Sequence, residues 1–108
     1  MISSLDLMLQ RRFFLGFVRV HILYHASKEE IFGAEIKEEL KRHGYDISPG
    51  TLYPILHSLE DDGYLESRSV NVGGKLRRYY KITGSGTIIL DEARSKIQEL
   101  IDEVMDVN

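Results

Sequence analysis

Ser48, Thr51, Tyr53 and His57 bring two hydroxyls, a phenol and an imidazole into one short stretch, interleaved with Leu52, Ile55, Leu56 and Leu59 at spacings of three and four. On a helix that pattern gives an apolar stripe for a core and a polar side able to hydrogen-bond phosphate oxygens or base edges. Tyr53 and His57, four apart and off the stripe, are the expected base-edge or thymine-methyl contacts. Ser48 and Thr51 are expected donors to phosphate or base edges, and Pro54 belongs to the same outward set. Further on, Lys75, Arg77 and Arg78 bracket Gly73-Gly74, a cluster of cations at a flexible tip. Lys75 and Arg77 are expected on phosphate, and Arg78 either there or bracing the strand, whose face it shares with Tyr80.

Other chemistries find little support. His21 and His25 lie four apart, but no Glu stands between them and their segment is apolar, so they read as core or interface histidines rather than metal ligands. Ser48 and Ser58 are near His57, yet a helix offers no oxyanion hole and no orienting acid is in sight. Gly84-Ser85-Gly86 opens a helix without the Lys-Thr or βαβ context of a phosphate cradle, and capping explains it. With no cysteine, disulfides and thiolate metal sites are excluded. The residues therefore predict no enzyme, no catalytic group, no metal and no cofactor.

The elements that must carry these side chains can be placed in order. Ser48 suits an N-cap and Pro49 the first helical position, predicting a helix over residues 49–62. Pro54 lies deeper in that helix, where it removes a backbone hydrogen bond and is tolerable only near the start. Gly73-Gly74 is a two-residue hairpin turn that pairs Val72 with Lys75. Counting back sets Val70 opposite Arg77, Arg68 opposite Tyr79, Ser67 opposite Tyr80, Glu66 opposite Lys81 and Leu65 opposite Ile82. The register makes an ion pair, a cation–π pair and an apolar face at once, all lost on a one-residue slip. Helical spacing predicts further helices over residues 5–26, 32–43 and 85–105, the first of them a buried helix. Gly44 and Gly63 are expected C′ residues, and Tyr45 and Ile47 anchor a turn over residues 44–47, where no strand is expected.

Charge is distributed unevenly. The formal net charge is −3, yet residues 64–83 carry a local excess of four positive charges and residues 84–108 an excess of four negative ones. A phosphate-binding surface needs the local quantity. In the last segment Leu90, Ala93, Ile97, Leu100, Val104 and Val107 follow a three-four alternation, with Ile101 widening the stripe. That is the seam of a coiled coil, and it predicts a dimer interface of Leu90, Ala93, Ile97, Leu100, Ile101 and Val104. Asp102, Glu103 and Asp106 crowd the C-terminal end of that helix, where the dipole disfavours them. Arg11, Arg12 or Arg19 of a second chain is their expected counter-charge.

A helix-turn-helix followed by a basic hairpin is the layout of a winged helix. The blocks Phe32-Gly33-Ala34-Glu35-Ile36, Ser48-Pro49-Gly50-Thr51-Leu52-Tyr53-Pro54-Ile55-Leu56, Leu59-Glu60-Asp61-Asp62-Gly63-Tyr64-Leu65 and Arg77-Arg78-Tyr79-Tyr80-Lys81-Ile82-Thr83, in that order and spacing, resemble the PadR family of transcriptional regulators. The expected fold class is α+β, mostly α: a winged helix-turn-helix with a two-stranded wing over residues 1–83 and a long C-terminal dimerisation helix over residues 84–108. The resemblance implies a homodimeric, sequence-specific DNA-binding regulator, usually a repressor, acting on an inverted-repeat operator. A winged-helix protein-interaction module without DNA binding is the alternative, and the basic wing argues against it. Expected partners are double-stranded DNA and a second copy of the chain, with any small-molecule effector left unidentified. No membrane partner is expected and the expected location is cytoplasmic, since the most apolar run, residues 13–26, carries Arg19 and His21 and is too short to span a bilayer.

Overall fold

Four helices and a small sheet grow from these patterns in the computed structural model, which describes residues 4–105. The order is α1 (Ser4–Lys28), β1 (Ile31–Phe32), α2 (Gly33–Arg42), α3 (Pro49–Asp61), β2 (Leu65–Val72), β3 (Lys75–Ile82) and α4 (Gly84–Val104). This is the predicted winged helix-turn-helix, with helix ends within about two residues of expectation. No strand forms over residues 44–47.

The core is built where apolar spacing coincides with an element's inner face. Val18, Ile22, Leu23 and Ala26 of α1 meet Ile36 and Leu40 of α2, the stripe Leu52, Ile55, Leu56 and Leu59 of α3, Leu65 and Tyr80 of the hairpin, and Leu90 of α4. All of these are buried. The first half of α1 departs from the predicted buried helix, because Leu7, Phe13, Phe14 and Phe17 remain exposed. Among the described residues no helix is long and apolar enough to cross a membrane.

Local chemistry fixes the ends. Gly44 and Gly63 take positive φ of 89° and 83°. Behind them Tyr45 N–H donates to the Leu40 carbonyl and Gly44 N–H to Lys41, while Tyr64 N–H donates to Leu59 and Gly63 N–H to Glu60. These paired bonds satisfy the last carbonyls of α2 and α3. Ser48 stands at the N-cap position of α3 but makes no capping bond; its hydroxyl turns to Thr51 Oγ1 at 3.3 Å. The helix runs unbroken through Pro54.

The hairpin has the register counted from its turn, from Val72 opposite Lys75 to Leu65 opposite Ile82. Lys81 pairs with Glu66 at 3.2 Å, and the Arg68 guanidinium lies 5.4 Å from the centre of the Tyr79 ring. The sheet nevertheless has three strands, in the order β1-β3-β2. Ile31 and Phe32 pair with Tyr80 and Tyr79, so Phe32, expected to open a helix, ends a strand instead. Two residues carry no periodicity of their own, and this pairing is made by a partner far along the chain.

The predicted seam on α4 divides. Leu90 is 2 % exposed and belongs to the chain's own core, because α4 packs against α1 there. Ala93 and Ile97 are half-buried, and Leu100, Ile101 and Val104 are exposed. Asp106 and Val107 lie outside the described residues. Within the chain Arg11 reaches Thr51 Oγ1, and Arg19 donates to the Leu15 carbonyl.

Thr83 joins the wing to α4. Its Oγ1 accepts from Gly86 N–H at 3.0 Å and donates to the Gly63 carbonyl at 2.6 Å, while its own N–H donates to the Tyr64 carbonyl at 3.1 Å. Gly86 is buried so closely beneath that carbonyl that a side chain would collide with it, which leaves no room for a phosphate. Gly86→Ala should therefore lower stability by about 1–3 kcal/mol in a denaturant titration, the usual cost of overpacking. Gly84→Ala, with open space around it, should change little.

Candidate nucleic-acid interface

The apolar stripe of α3 turns the other side of that helix outward. Gly50, Tyr53, Pro54 and His57 are exposed there, with Ser48 exposed at its start and Thr51 half-buried. All five residues expected from the sequence, Ser48, Thr51, Tyr53, Pro54 and His57, thus lie on or beside one accessible surface. The helix carries no Asp, Glu, Lys or Arg before Glu60, so the positive end of its dipole is not opposed by an acid in the first turn.

Tyr53 is placed differently from a freely projecting reader. Its ring covers Gly33 at the start of α2 so tightly that no Cβ fits between them, and 45 % of the residue remains exposed. It forms one wall of a groove of about 360 Å³ whose other walls include Phe32, Lys75, Leu76, Arg77 and Arg78. Helix α3 and the wing therefore face each other across a continuous depression. Arg11, a residue whose part in this surface the sequence did not reveal, approaches the same end of α3 from α1, with its Nη2 3.4 Å from Thr51 Oγ1.

The cations of the wing are sorted by their partners. Arg68 forms a two-pronged bond to Glu30 at 2.8 and 2.9 Å, and Lys81 is matched by Glu66. The hydrogen bond and charge of Arg68 hold the Glu30 carboxyl below its ordinary range. Lys75 and Arg78 are exposed. The Arg77 guanidinium lies 4.1 Å from the centre of the Phe32 ring, a cation–π contact that leaves it half-buried against β1. The Tyr80 hydroxyl is pushed above its usual range by burial, with the nearby Arg78 opposing. The Gly73-Gly74 tip carries positive φ at both residues, and Gly74 N–H donates to Asn71 Oδ1 at 2.9 Å, so the tip is a defined turn. Among the described residues His21, His25 and His43 bring one ring nitrogen each within 4.8 Å of one another.

Comparison with known proteins gives this geometry a context. The profile of the "Transcriptional regulator PadR-like family" matches residues 22–92. The chain is 50 % identical over 95 residues to "Transcriptional regulator Rv3488" of Mycobacterium tuberculosis, spanning 88 % of this chain and 89 % of that protein. In three dimensions it resembles a PadR-like transcription factor from Bacteroides fragilis, with a TM-score of 0.80, 30 % identity and coverage of 93 % and 98 % of the two chains. A PadR family regulator from Eggerthella lenta gives a TM-score of 0.80 at 28 % identity, covering 97 % of this chain and 96 % of its own.

The Glu30–Arg68 pair ties β2 to the residue just before β1, and its pH dependence has a definite sign. Because the folded value of Glu30 is depressed, the pair stabilises the fold above the ordinary glutamate range and ceases to do so as pH falls through the folded value. Glu30→Gln should remove that acid-sensitive component, so that its thermal midpoint, measured across the acid range, falls less steeply with decreasing pH than the parent's.

Proposed function

The chain belongs to the PadR-like family of transcriptional regulators, DNA-binding proteins rather than enzymes, and from that premise we propose that it is a repressor that binds an inverted-repeat operator as a homodimer. Each protomer lays α3 in a major groove, with Thr51, Tyr53, Pro54 and His57 toward the bases and Ser48 toward the backbone, while Lys75, Arg77 and Arg78 meet phosphates. Residues 1–83 carry the reading surface and residues 84–108 the pairing helix. The observation that carries the DNA limb is the groove shared by α3 and the wing, lined by Tyr53 on one wall and by Lys75, Arg77 and Arg78 on the other. Glu30 and Glu66 neutralise the root of the wing and leave these three cations without a carboxylate partner among the ion pairs of the described residues.

The dimer limb is supported by apolar surface that the chain does not cover. Phe13 is 64 % exposed, and Leu7, Phe14 and Phe17 accompany it on α1; Leu100 is 53 % exposed, with Ile101 and Val104 beside it on α4. A monomer rarely leaves that many large apolar side chains in water, and two helices presenting them suit a self-complementary two-fold interface. Leu90 fastens α4 to the core that also holds α3, so the interface sets the separation of two reading helices.

Three measurements test this reading. Leu100→Asp should convert a dimeric parent to a folded monomer in light scattering; a monomeric parent, or a variant that stays dimeric, contradicts the dimer. Lys75→Ala with Arg77→Ala should weaken binding to all duplexes alike, each lost phosphate contact lowering the slope of log affinity on log salt by about 0.9. A change in the preferred sequence would instead make the wing a base reader, and a parent that binds no duplex at all would favour a protein-interaction module. On operators selected from a random pool, half-sites about 34 Å apart are expected, and inserting half a helical turn between them should abolish tight binding.

A further inference from the structure

Three of the chain's four histidines meet at one point. His21 and His25 stand one turn apart on α1, and His43 is the C-cap residue of α2. One ring nitrogen of each lies within 4.8 Å of those of the other two. The His21 and His43 rings are nearly parallel, with centres 4.8 Å apart. A carboxylate joins them: Glu39 Oε1 is 3.4 Å from His43 Nε2 and 3.8 Å from His25 Nε2, while its other oxygen is held by Arg42 at 2.9 Å. Arg42 thus turns Oε1 toward the imidazoles.

We propose that His21, His25, His43 and Glu39 form a binding site for a divalent late transition-metal ion of the zinc class. The donor set is the chemical argument: three imidazole nitrogens and one carboxylate oxygen are what a tetrahedral Zn²⁺ takes, and imidazole favours that class over Mg²⁺ or Ca²⁺. With metal–ligand bonds of about 2.0–2.1 Å, the donors of a tetrahedron stand roughly 3.4 Å apart, so the cluster needs only a modest inward closure of side chains. His43 is exposed and its ring has room to swing. Tyr24, Leu90 and Ile97 line the same cavity of about 440 Å³ and give the site a largely apolar surround.

Placement gives the site a mechanical meaning. A bound ion would tie α1 to the C-cap residue of α2, immediately before the turn that leads into α3. It would brace the helix-turn-helix from behind, on the side where α4 leaves the core. The pairing of His21 with His25 was visible in the sequence; the third ligand, from another helix, was not.

The test uses the full-length protein stripped of metal with a chelator and then titrated with Co²⁺. One ion per chain should bind and give the intense visible bands of four-coordinate cobalt, and Zn²⁺ should displace it and raise the thermal midpoint. The variant His21→Asn, His25→Asn, His43→Asn keeps only His57 and should show no such bands. Should that variant fail to fold, His43→Ala, which alters an exposed side chain, should fold normally by circular dichroism. It should lose more zinc affinity than the roughly 10- to 100-fold that loss of an outer-shell partner costs. A parent showing only the pale spectrum of hydrated Co²⁺, or a folded His43→Ala variant binding Zn²⁺ as tightly as the parent, overturns the proposal.

Discussion

Tyr80 is paired on one side with Ile31 and on the other with Ser67, and its residue surface is 2 % exposed. From the middle strand it enters the same core as α1, α2 and α3, and it also lines the groove where the wing faces α3. Burying so large a ring supplies apolar area, and its polar end fixes the direction in which it is buried. The strand cannot slide by one residue without turning Tyr80 to solvent and Tyr79 or Lys81 inward in its place. The position of the wing relative to the recognition helix rests on that exclusion. The β1 pairing, the Phe32 ring against Tyr79 and the Arg77 stack on Phe32 all follow from the same register.

A chain with net negative charge presents cations at one place through local neutralisation. Two acids near the wing are matched to bases at its root, Glu30 to Arg68 and Glu66 to Lys81, while Glu60 accepts from the Ser67 hydroxyl. What is left toward the tip is positive, and at the ranges over which salt leaves charge unscreened it is this residue of charge that a phosphate meets. The acidic surplus beyond Thr83 lies on α4, most of it past the point where that helix leaves the core.

Much of this was legible in the sequence, and the reasons differ from element to element. The hairpin was readable because a two-residue glycine turn sets one pair and the rest follow by counting. The helix ends at Gly44 and Gly63 were readable because the left-handed conformation there is a property of a single residue. β1 was not, since two residues have no pattern and their partners are distant. Ser48 was placed at the right position, but whether its hydroxyl caps the helix or turns to Thr51 depends on neighbours. Periodicity found the stripe on α4 without telling which neighbour covers it, so Leu90 was grouped with Leu100 although one faces the chain's own core and the other solvent. Tyr53, Pro54 and His57 were correctly assigned to the exposed side of α3; that Tyr53 leans on Gly33 is a long-range contact with no local signature. The histidine cluster is of the same kind, assembled by packing α2 on α1.

The closeness of Tyr53 to Gly33 constrains how this chain can change over generations. A side chain at position 33 would meet the tip of the Tyr53 ring, so a larger residue there requires that ring to swing outward or position 53 to become smaller. The two positions, twenty apart on different helices, are therefore coupled although neither lies near the other in the chain. A lineage that altered the outward face of α3 at Tyr53 would relieve position 33 of that contact, and one that enlarged position 33 first would displace a ring on the groove's wall.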